Sequence, residues 1–275
     1  MTIANLPDGT RIWFRKAGSG PPLLHIHGSA FGHANFARLT PQLTQAFTVI
    51  DFDLPGYGES SSPKAITDFE GLARLVRGFV DELGYQKVSI HGTSFGAMIA
   101  LTLAAEHPTV VDRLVLSCFL ARYDAAARMM RATWKRAARE IGMDAVADLT
   151  SVAGFARGFY EQGWAQQQLA SMRVAFSRTA PEAFCAGTEM IERTDLSARV
   201  MQVQAPLLLL AGAEDNMTPF SPAASGYGFE QILARQPSAR CEILKGCGHY
   251  LVLEQPEAAA ALIKDFLSRE HTRVG

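Results

Sequence analysis

Charge is scarce in this sequence, and the two signs are balanced. Only 19% of the 275 residues are charged, and 26 Lys and Arg stand against 27 Asp and Glu, for a formal net charge of −1. An average domain carries about 25% charged residues, and a nucleic-acid-binding domain usually shows a strongly basic face. We therefore expect a folded chain that does not bind nucleic acid.

Long apolar runs and metal-binding motifs are also lacking. The longest aliphatic run, Leu207–Leu210, is far shorter than the roughly 20 residues that span a bilayer. Residues 1–16 contain no signal-peptide pattern. None of the four cysteines forms a C-x-x-C pair, so zinc has little support. The glycine pattern at Gly56 and Gly58 fails the dinucleotide fingerprint because Ser61 takes the third position. We expect a cytoplasmic protein without membrane contact, metal or cofactor.

What the chain does contain is an alternation of short apolar runs and helical patterns. Such alternation predicts a mostly parallel sheet with helices on both faces. Pro7-Asp8-Gly9 between the first two runs indicates a hairpin. Helices are expected near Asn35–Gln45 and over Phe69–Leu83, Phe95–Glu106 and Pro256–Leu267. The eight predicted strands are Thr2–Leu6, Arg11–Lys16, Leu23–Ile26, Phe47–Phe52, Val88–His91, Leu114–Cys118, Leu207–Ala211 and Glu242–Leu244.

The alternation is interrupted after the sixth strand. From Phe119 to Gln204 only helical periodicity is found, which predicts a helical cap inserted over the ends of the strands. We therefore divide the chain into a first core segment, residues 1–118, a cap, residues 119–204, and a second core segment, residues 205–275.

A serine stands where the fifth strand meets its helix. Gly92-Thr93-Ser94-Phe95-Gly96 has the G-x-S-x-G pattern. At a tight strand-to-helix turn this pattern exposes the serine hydroxyl above the sheet. It also places the hydroxyl at a helix N-terminus, where negative charge is favoured. Ser94 is the candidate nucleophile.

A serine nucleophile needs a base and an acid that orients the base. His249 lies in a loop between the last strand and the last helix, and Asp215 follows the seventh strand. Both therefore fall at the carboxyl edge of the predicted sheet, beside Ser94. The chain order Ser94, Asp215, His249 is the order of the nucleophile-elbow hydrolases. Asp124 is the second-choice acid.

An acyl-transfer site also needs donors for the oxyanion. The third strand ends in His27-Gly28-Ser29, and the main-chain N–H of Ser29 can face the nucleophile. The N–H of Phe95, directly after Ser94, supplies the second donor. We expect His27 to hold this turn in place rather than to act as a base.

Together these landmarks resemble the α/β-hydrolase superfamily over nearly the whole chain outside the cap. The stretch from Ala183 to Pro219 is similar to 3-oxoadipate enol-lactonases and related small-ester hydrolases. The resemblance implies an eight-stranded, mostly parallel α/β-hydrolase fold and a Ser94–His249–Asp215 triad. It disfavours dehalogenases and epoxide hydrolases, because those relatives carry Asp in place of Ser94.

The cap is expected to form the substrate pocket. Tyr250 and aromatic or methionine side chains of the cap are candidates for a hydrophobic pocket. One face of the first cap helix is basic and carries Arg128, Arg131, Lys135 and Arg139. We expect this face to be solvated; the alternative is that it attracts an anionic substrate. The cap candidates for the pocket are Trp134, Phe155, Phe159, Trp164, Met172 and Phe176.

These observations predict a cofactor-independent serine esterase or lactonase acting on a small, largely apolar substrate, as a monomer or homodimer. Three alternatives stay open. The same triad can cleave carbon–carbon bonds of meta-cleavage diketones, although Tyr250 stands where such relatives typically carry Trp. It can also act as a perhydrolase. Finally, the scaffold can serve as a non-catalytic ligand receptor.

Overall fold

The structure, a computed structural model, describes residues 2–61 and 66–269. The described residues leave out Met1, residues 62–65 and residues 270–275. These positions fall within the predicted core segments 1–118 and 205–275. The strands are β1 (Thr2–Asn5), β2 (Arg11–Ala17), β3 (Pro22–Ile26), β4 (Thr48–Phe52), β5 (Val88–Thr93), β6 (Val111–Ser117), β7 (Leu207–Gly212) and β8 (Arg240–Leu244).

The eight strands form one sheet in the order β1-β2-β4-β3-β5-β6-β7-β8. The β1–β2 and β2–β4 pairs are antiparallel, and all other pairs are parallel. This confirms the predicted eight-stranded, mostly parallel sheet. Because the six parallel strands β3 to β8 run in one direction, the loops that follow them meet at one edge.

Helices cover both faces of the sheet, and two apolar clusters lie between them and the strands. Helix α3 is apolar all round, as expected for a helix buried in the core. The helices are α1 (Thr40–Leu43), α2 (Phe69–Glu82), α3 (Phe95–Glu106), α4 (Ala125–Glu140), α5 (Met143–Gly154), α6 (Ala165–Ser177), α7 (Pro181–Arg193), α8 (Phe229–Arg235), α9 (Leu251–Glu254) and α10 (Pro256–Leu267).

Helices α4 to α7 lie between β6 and β7, which confirms a helical insertion after the sixth strand. We call these four helices, with the connections between them, the cap. One helix expectation was wrong: the stretch near Asn35–Gln45 holds a short 3-10 helix, Gly32–Phe36, and the single turn α1. Helix α8 was not predicted. Within residues 2–61 and 66–269, no helix has the length and apolar character that a membrane span requires.

Candidate active site

Ser94 sits in a strained turn between β5 and α3. Its φ of 54° and ψ of −116° are unusual for a residue with a side chain and cost about 1–3 kcal/mol. Close packing requires the two flanking glycines: a Cβ on Gly92 would lie 2.5 Å from the carbonyl oxygen of Gly96, and a Cβ on Gly96 would lie 2.0 Å from that of Ile26. The Ser94 N–H donates to the carbonyl of Ser117 at 2.9 Å, which fixes the turn against β6.

Asp215 and His249 form a buried pair at the same edge of the sheet. Nδ1 of His249 lies 2.9 Å from Oδ2 of Asp215. The other oxygen of Asp215, Oδ1, accepts the N–H groups of Met217 and Thr218, both at 2.9 Å. The Thr218 hydroxyl donates to Oδ2 at 2.7 Å and lies 3.0 Å from Nδ1 of His249. The carboxylate is therefore saturated with partners.

The electrostatics of Asp215 suit an ionised orienting acid. Burial raises the pKa of its carboxyl, but the charge of His249 and hydrogen bonds from His249 and Thr218 outweigh burial and leave the pKa below its usual value. Asp124 has another use: its side chain accepts the N–H groups of Ala127 and Ala223 and caps α4. The structure therefore pairs His249 with Asp215 and not with Asp124.

Ser94 and His249 line one cavity beneath the cap, together with Ser29. The cavity is small, at about 30 Å³. Ser94, Asp215 and His249 are each less than a tenth exposed. A ligand larger than a few waters must therefore move cap side chains as it binds.

The loop after β3 carries the expected oxyanion donor. The Gly28 N–H donates to Oδ1 of Asn35 at 2.7 Å. His27 ties two loops together: Nδ1 lies 2.8 Å from the carbonyl of Gly28, and Nε2 accepts the N–H of Leu54 at 2.9 Å. Burial is the main cause of the lowered pKa of His27, as suits a neutral structural histidine.

Both expected donors have main-chain N–H groups that are free to bind a ligand. The N–H of Phe95 is the first of α3, and the first N–H groups of a helix have no partner within it. Among the described residues, neither this group nor the N–H of Ser29 donates to a protein acceptor. The side chain of Phe95 is buried in the core and contributes to the fold.

Of the seven predicted pocket residues, the cavity is lined by three: Trp134, Phe176 and Tyr250. The other four lie elsewhere. Phe155 and Phe159 stack on each other with centroids 3.7 Å apart. The ring of Trp164 lies against the Arg38 guanidinium, 3.9 Å away. Met172 is buried, and its sulfur accepts the Ser151 hydroxyl at 3.3 Å.

Several cavity residues were missed as candidates from the sequence. Phe31, Asn35, Thr150, Phe184 and Met217 line it, and no local pattern singles them out. Thr218 could have been found, because a hydroxyl three residues after an acid is a common local hydrogen-bonding arrangement.

Arg131 lies in the cavity and not on the solvated helix face that we expected for it, where attraction of an anionic substrate was the alternative. It is only 3% exposed and lines the cavity. Its Nη2 donates to the Tyr123 hydroxyl at 2.8 Å. Burial raises the pKa of the Tyr123 phenol, and the charge of Arg131 opposes that rise. A neutral phenol therefore accepts the bond from the buried guanidinium.

One group of side chains has ligand types that could suit a metal ion. Donor atoms of Cys118, Asp215 and His249 all lie within 4.8 Å of one another. Burial, however, raises the pKa of the Cys118 thiol well above its usual value, so the metal-binding thiolate is disfavoured. Asp215 and His249 already bind each other, so these two residues fit a hydrogen-bonded pair better than a metal site.

Comparison with known proteins extends these observations. The sequence profile described as "alpha/beta hydrolase fold" matches residues 21–256. A pimeloyl-[acyl-carrier protein] methyl ester esterase of Aromatoleum aromaticum is 31% identical over 255 residues, which cover 89% of this chain and 97% of the esterase. A 2-hydroxy-6-oxononadienedioate/2-hydroxy-6-oxononatrienedioate hydrolase of Pseudomonas putida is 27% identical and covers 94% of this chain and 91% of its own.

Among solved structures, an enol-lactonase from Burkholderia xenovorans LB400 superposes with a TM-score of 0.86 at 24% identity. The match covers 98% of this chain and all of the other. At that identity the superposition establishes a shared fold.

Proposed function

The chain belongs to the α/β-hydrolase fold family, and on that premise we propose that it is a serine hydrolase of small carboxylic esters or lactones. The observation that carries the proposal is the convergence of Ser94 and His249 on one cavity, with His249 bonded to Asp215. The esterase relative at 31% identity supports an ester substrate.

In the proposed mechanism Ser94 attacks the carbonyl carbon while His249 takes the hydroxyl proton. Because Nδ1 of His249 is bonded to Asp215, Nε2 is the nitrogen that exchanges the proton. Asp215 holds the ring and stabilises the imidazolium. His249 then donates the proton to the leaving alkoxide oxygen, and an acyl-enzyme remains on Ser94.

The oxyanion of the tetrahedral intermediate is proposed to accept the N–H groups of Ser29 and Phe95. Both are main-chain donors already in place before reaction, so little reorganisation is needed as charge develops. Water activated by His249 then attacks the acyl-enzyme and releases the acid. No step requires a cofactor.

The test is the reaction of Ser94 with a fluorophosphonate probe, combined with hydrolysis of a panel of esters and lactones. Wild type should be labelled and active, whereas Ser94→Ala should lose labelling and at least about a thousandfold in kcat/KM. Ser177→Ala, which removes an exposed hydroxyl on α6, is the matched control and should behave as wild type. Near-wild-type turnover by Ser94→Ala would refute the nucleophile, and an unlabelled, inactive wild type would favour a ligand receptor.

Carbon–carbon bond hydrolysis is the second candidate, favoured by the 27% identical Pseudomonas putida hydrolase. In this proposed reaction Ser94 and His249 act as nucleophile and base on a vinylogous diketone. Including one ring-cleavage diketone in the panel separates the two activities: the ester proposal predicts a higher kcat/KM for the best ester or lactone than for the diketone.

A further inference from the structure

Arg131 is a buried cation without an acidic partner. It lies on α4, is 3% exposed and lines the cavity that holds Ser94 and His249. Two basic residues of the same helix form ion pairs: Lys135 with Glu192 at 2.6 Å and Arg139 with Glu189 at 2.9 Å. Among the described residues, Arg131 forms no ion pair.

The contacts that Arg131 does make are with neutral groups. Its Nη2 donates to the Tyr123 hydroxyl at 2.8 Å, and its guanidinium lies 4.4 Å from the centre of the Tyr123 ring and 5.6 Å from that of Trp134. Its Nε is buried and has no hydrogen-bond partner. An unpaired buried cation is costly, so the cavity carries a positive charge that a ligand could neutralise.

Neither the tyrosines around Arg131 nor Asp215 forms an ion pair with it among the described residues. The charge of Arg131 lowers the pKa of the Tyr57, Tyr123 and Tyr250 phenols, yet burial outweighs this effect and leaves all three above the usual value. These tyrosines are therefore neutral. Asp215, the nearby acid of the triad, already accepts bonds from Met217, Thr218 and His249.

We propose that Arg131 binds a carboxylate of the substrate, so that the natural substrate is an ester or lactone that also carries a free acid group. The planar guanidinium, with an unused N–H, matches a carboxylate. Arg131 and Ser94 line the same small cavity, so a carboxylate on Arg131 and a carbonyl at Ser94 can belong to one short substrate. A half-ester of a short dicarboxylic acid has this arrangement. The proposal deepens the hydrolase function and rests on it.

The test compares mono(4-nitrophenyl) esters of succinic, glutaric and adipic acid with the same esters capped as methyl esters. Wild type should prefer at least one free acid over its capped counterpart by about ten- to a hundredfold in kcat/KM. Arg131→Met should abolish that ratio, mainly through a higher KM for the acid. Arg139→Met, which removes an equal charge from an exposed position on α4, should keep the ratio.

Binding is measured separately so that the result does not depend on turnover. Calorimetry with Ser94→Ala and monomethyl adipate, glutarate or succinate should give a dissociation constant at least about tenfold lower than that of Ser94→Ala/Arg131→Met. Equal affinities would overturn the anion site even if esters are hydrolysed. Binding of the acid by an enzyme that cleaves no ester would keep the anion site and refute the hydrolase proposal.

Thermal denaturation checks that each variant is folded. If Arg131→Met does not fold, Arg131→Lys, which keeps the charge but loses the planar fork, takes its place and should lower the acid-to-capped ratio several-fold. A wild type that hydrolyses free acids no faster than capped esters would overturn the proposal without any variant.

Discussion

The carboxyl edge of the sheet and the cap differ in how far their buried polar groups are satisfied by hydrogen bonds. At the sheet edge, Asp215 is satisfied by partners two and three residues away and by His249. In the cap, Arg131 enters the same cavity with an unpartnered Nε. A saturated group holds one geometry whether or not a ligand is present, whereas an unsatisfied group gains most when a ligand arrives. The core edge thus holds its geometry without a ligand, whereas the cap contributes a group that a ligand can still bind.

The largest effect should come from disturbing the core edge. Asp215→Asn should lower kcat by about 10³–10⁴-fold, because an amide neither fixes the histidine tautomer nor stabilises an imidazolium. The matched control is Asp124→Asn, which should leave kcat nearly unchanged and cost about 1 kcal/mol of stability, because the amide NH2 that replaces one carboxylate oxygen cannot accept the Ala223 N–H. Steady-state kinetics and urea denaturation measure the two effects, and a larger loss of kcat in Asp124→Asn would reverse the assignment.

A smaller effect is expected from the cap. Phe176→Leu removes part of a cavity wall and should shift preference toward acyl chains longer by one or two methylenes, by about tenfold in relative kcat/KM. Phe159→Leu, which alters a stacked ring outside the cavity, should lower the melting temperature and keep the preference. A chain-length series of 4-nitrophenyl esters reads out both variants. A shift in Phe159→Leu alone would mean that the cavity has been assigned to the wrong ring.

The smallest effect should appear where the two regions meet. Glu254 accepts the N–H groups of Ala156 in the cap connection and Gly248 beside the candidate base, both at 3.0 Å. Burial raises the pKa of its carboxyl to about 7 from an ordinary 4.5. The folded protein therefore holds this proton more tightly than the unfolded chain, so its contribution to stability is present below pH 4.5 and is lost as pH rises through 7.

Unfolding free energies measured in urea at pH 5, 6 and 7 test this expectation. Wild type should lose more stability across the range than Glu254→Gln, whose amide does not titrate. The other titrating groups are the same in both proteins, so their contributions cancel when the two losses of unfolding free energy are subtracted. Parallel pH profiles would show that the Glu254 proton does not contribute.

The fold was predictable where the local signal and the tertiary environment agree. Helix α3 was predicted with its observed ends, because the turn at Ser94 and the apolar run after it fix both position and burial. The helix expected near Asn35–Gln45 failed since Pro41 interrupts it and only short turns form. Helix α8, with seven residues, is too short for a reliable periodic signal.

The residues of the candidate site were likewise predictable only where the fold constrains them. Ser94, Asp215 and His249 each follow a strand of the parallel part of the sheet, so their placement at one edge follows from sheet topology. The cap residues have no such constraint: Phe155 and Phe176 are equally apolar in sequence, but only the packing of one cap helix on another decides which ring faces the cavity. The burial of Arg131 was not predicted for the same reason, because helical periodicity shows a basic face without showing what covers it.

The bond between the His249 N–H and the carbonyl of Gly154, at 2.6 Å, has a consequence for turnover. Gly154 is the last residue of α5, so the candidate general base is tethered by its own backbone to the roof above it. Any opening that lifts α5 must either break this tether or drag the imidazole away from Ser94. The position of α5 and the position of the candidate base are therefore mechanically linked.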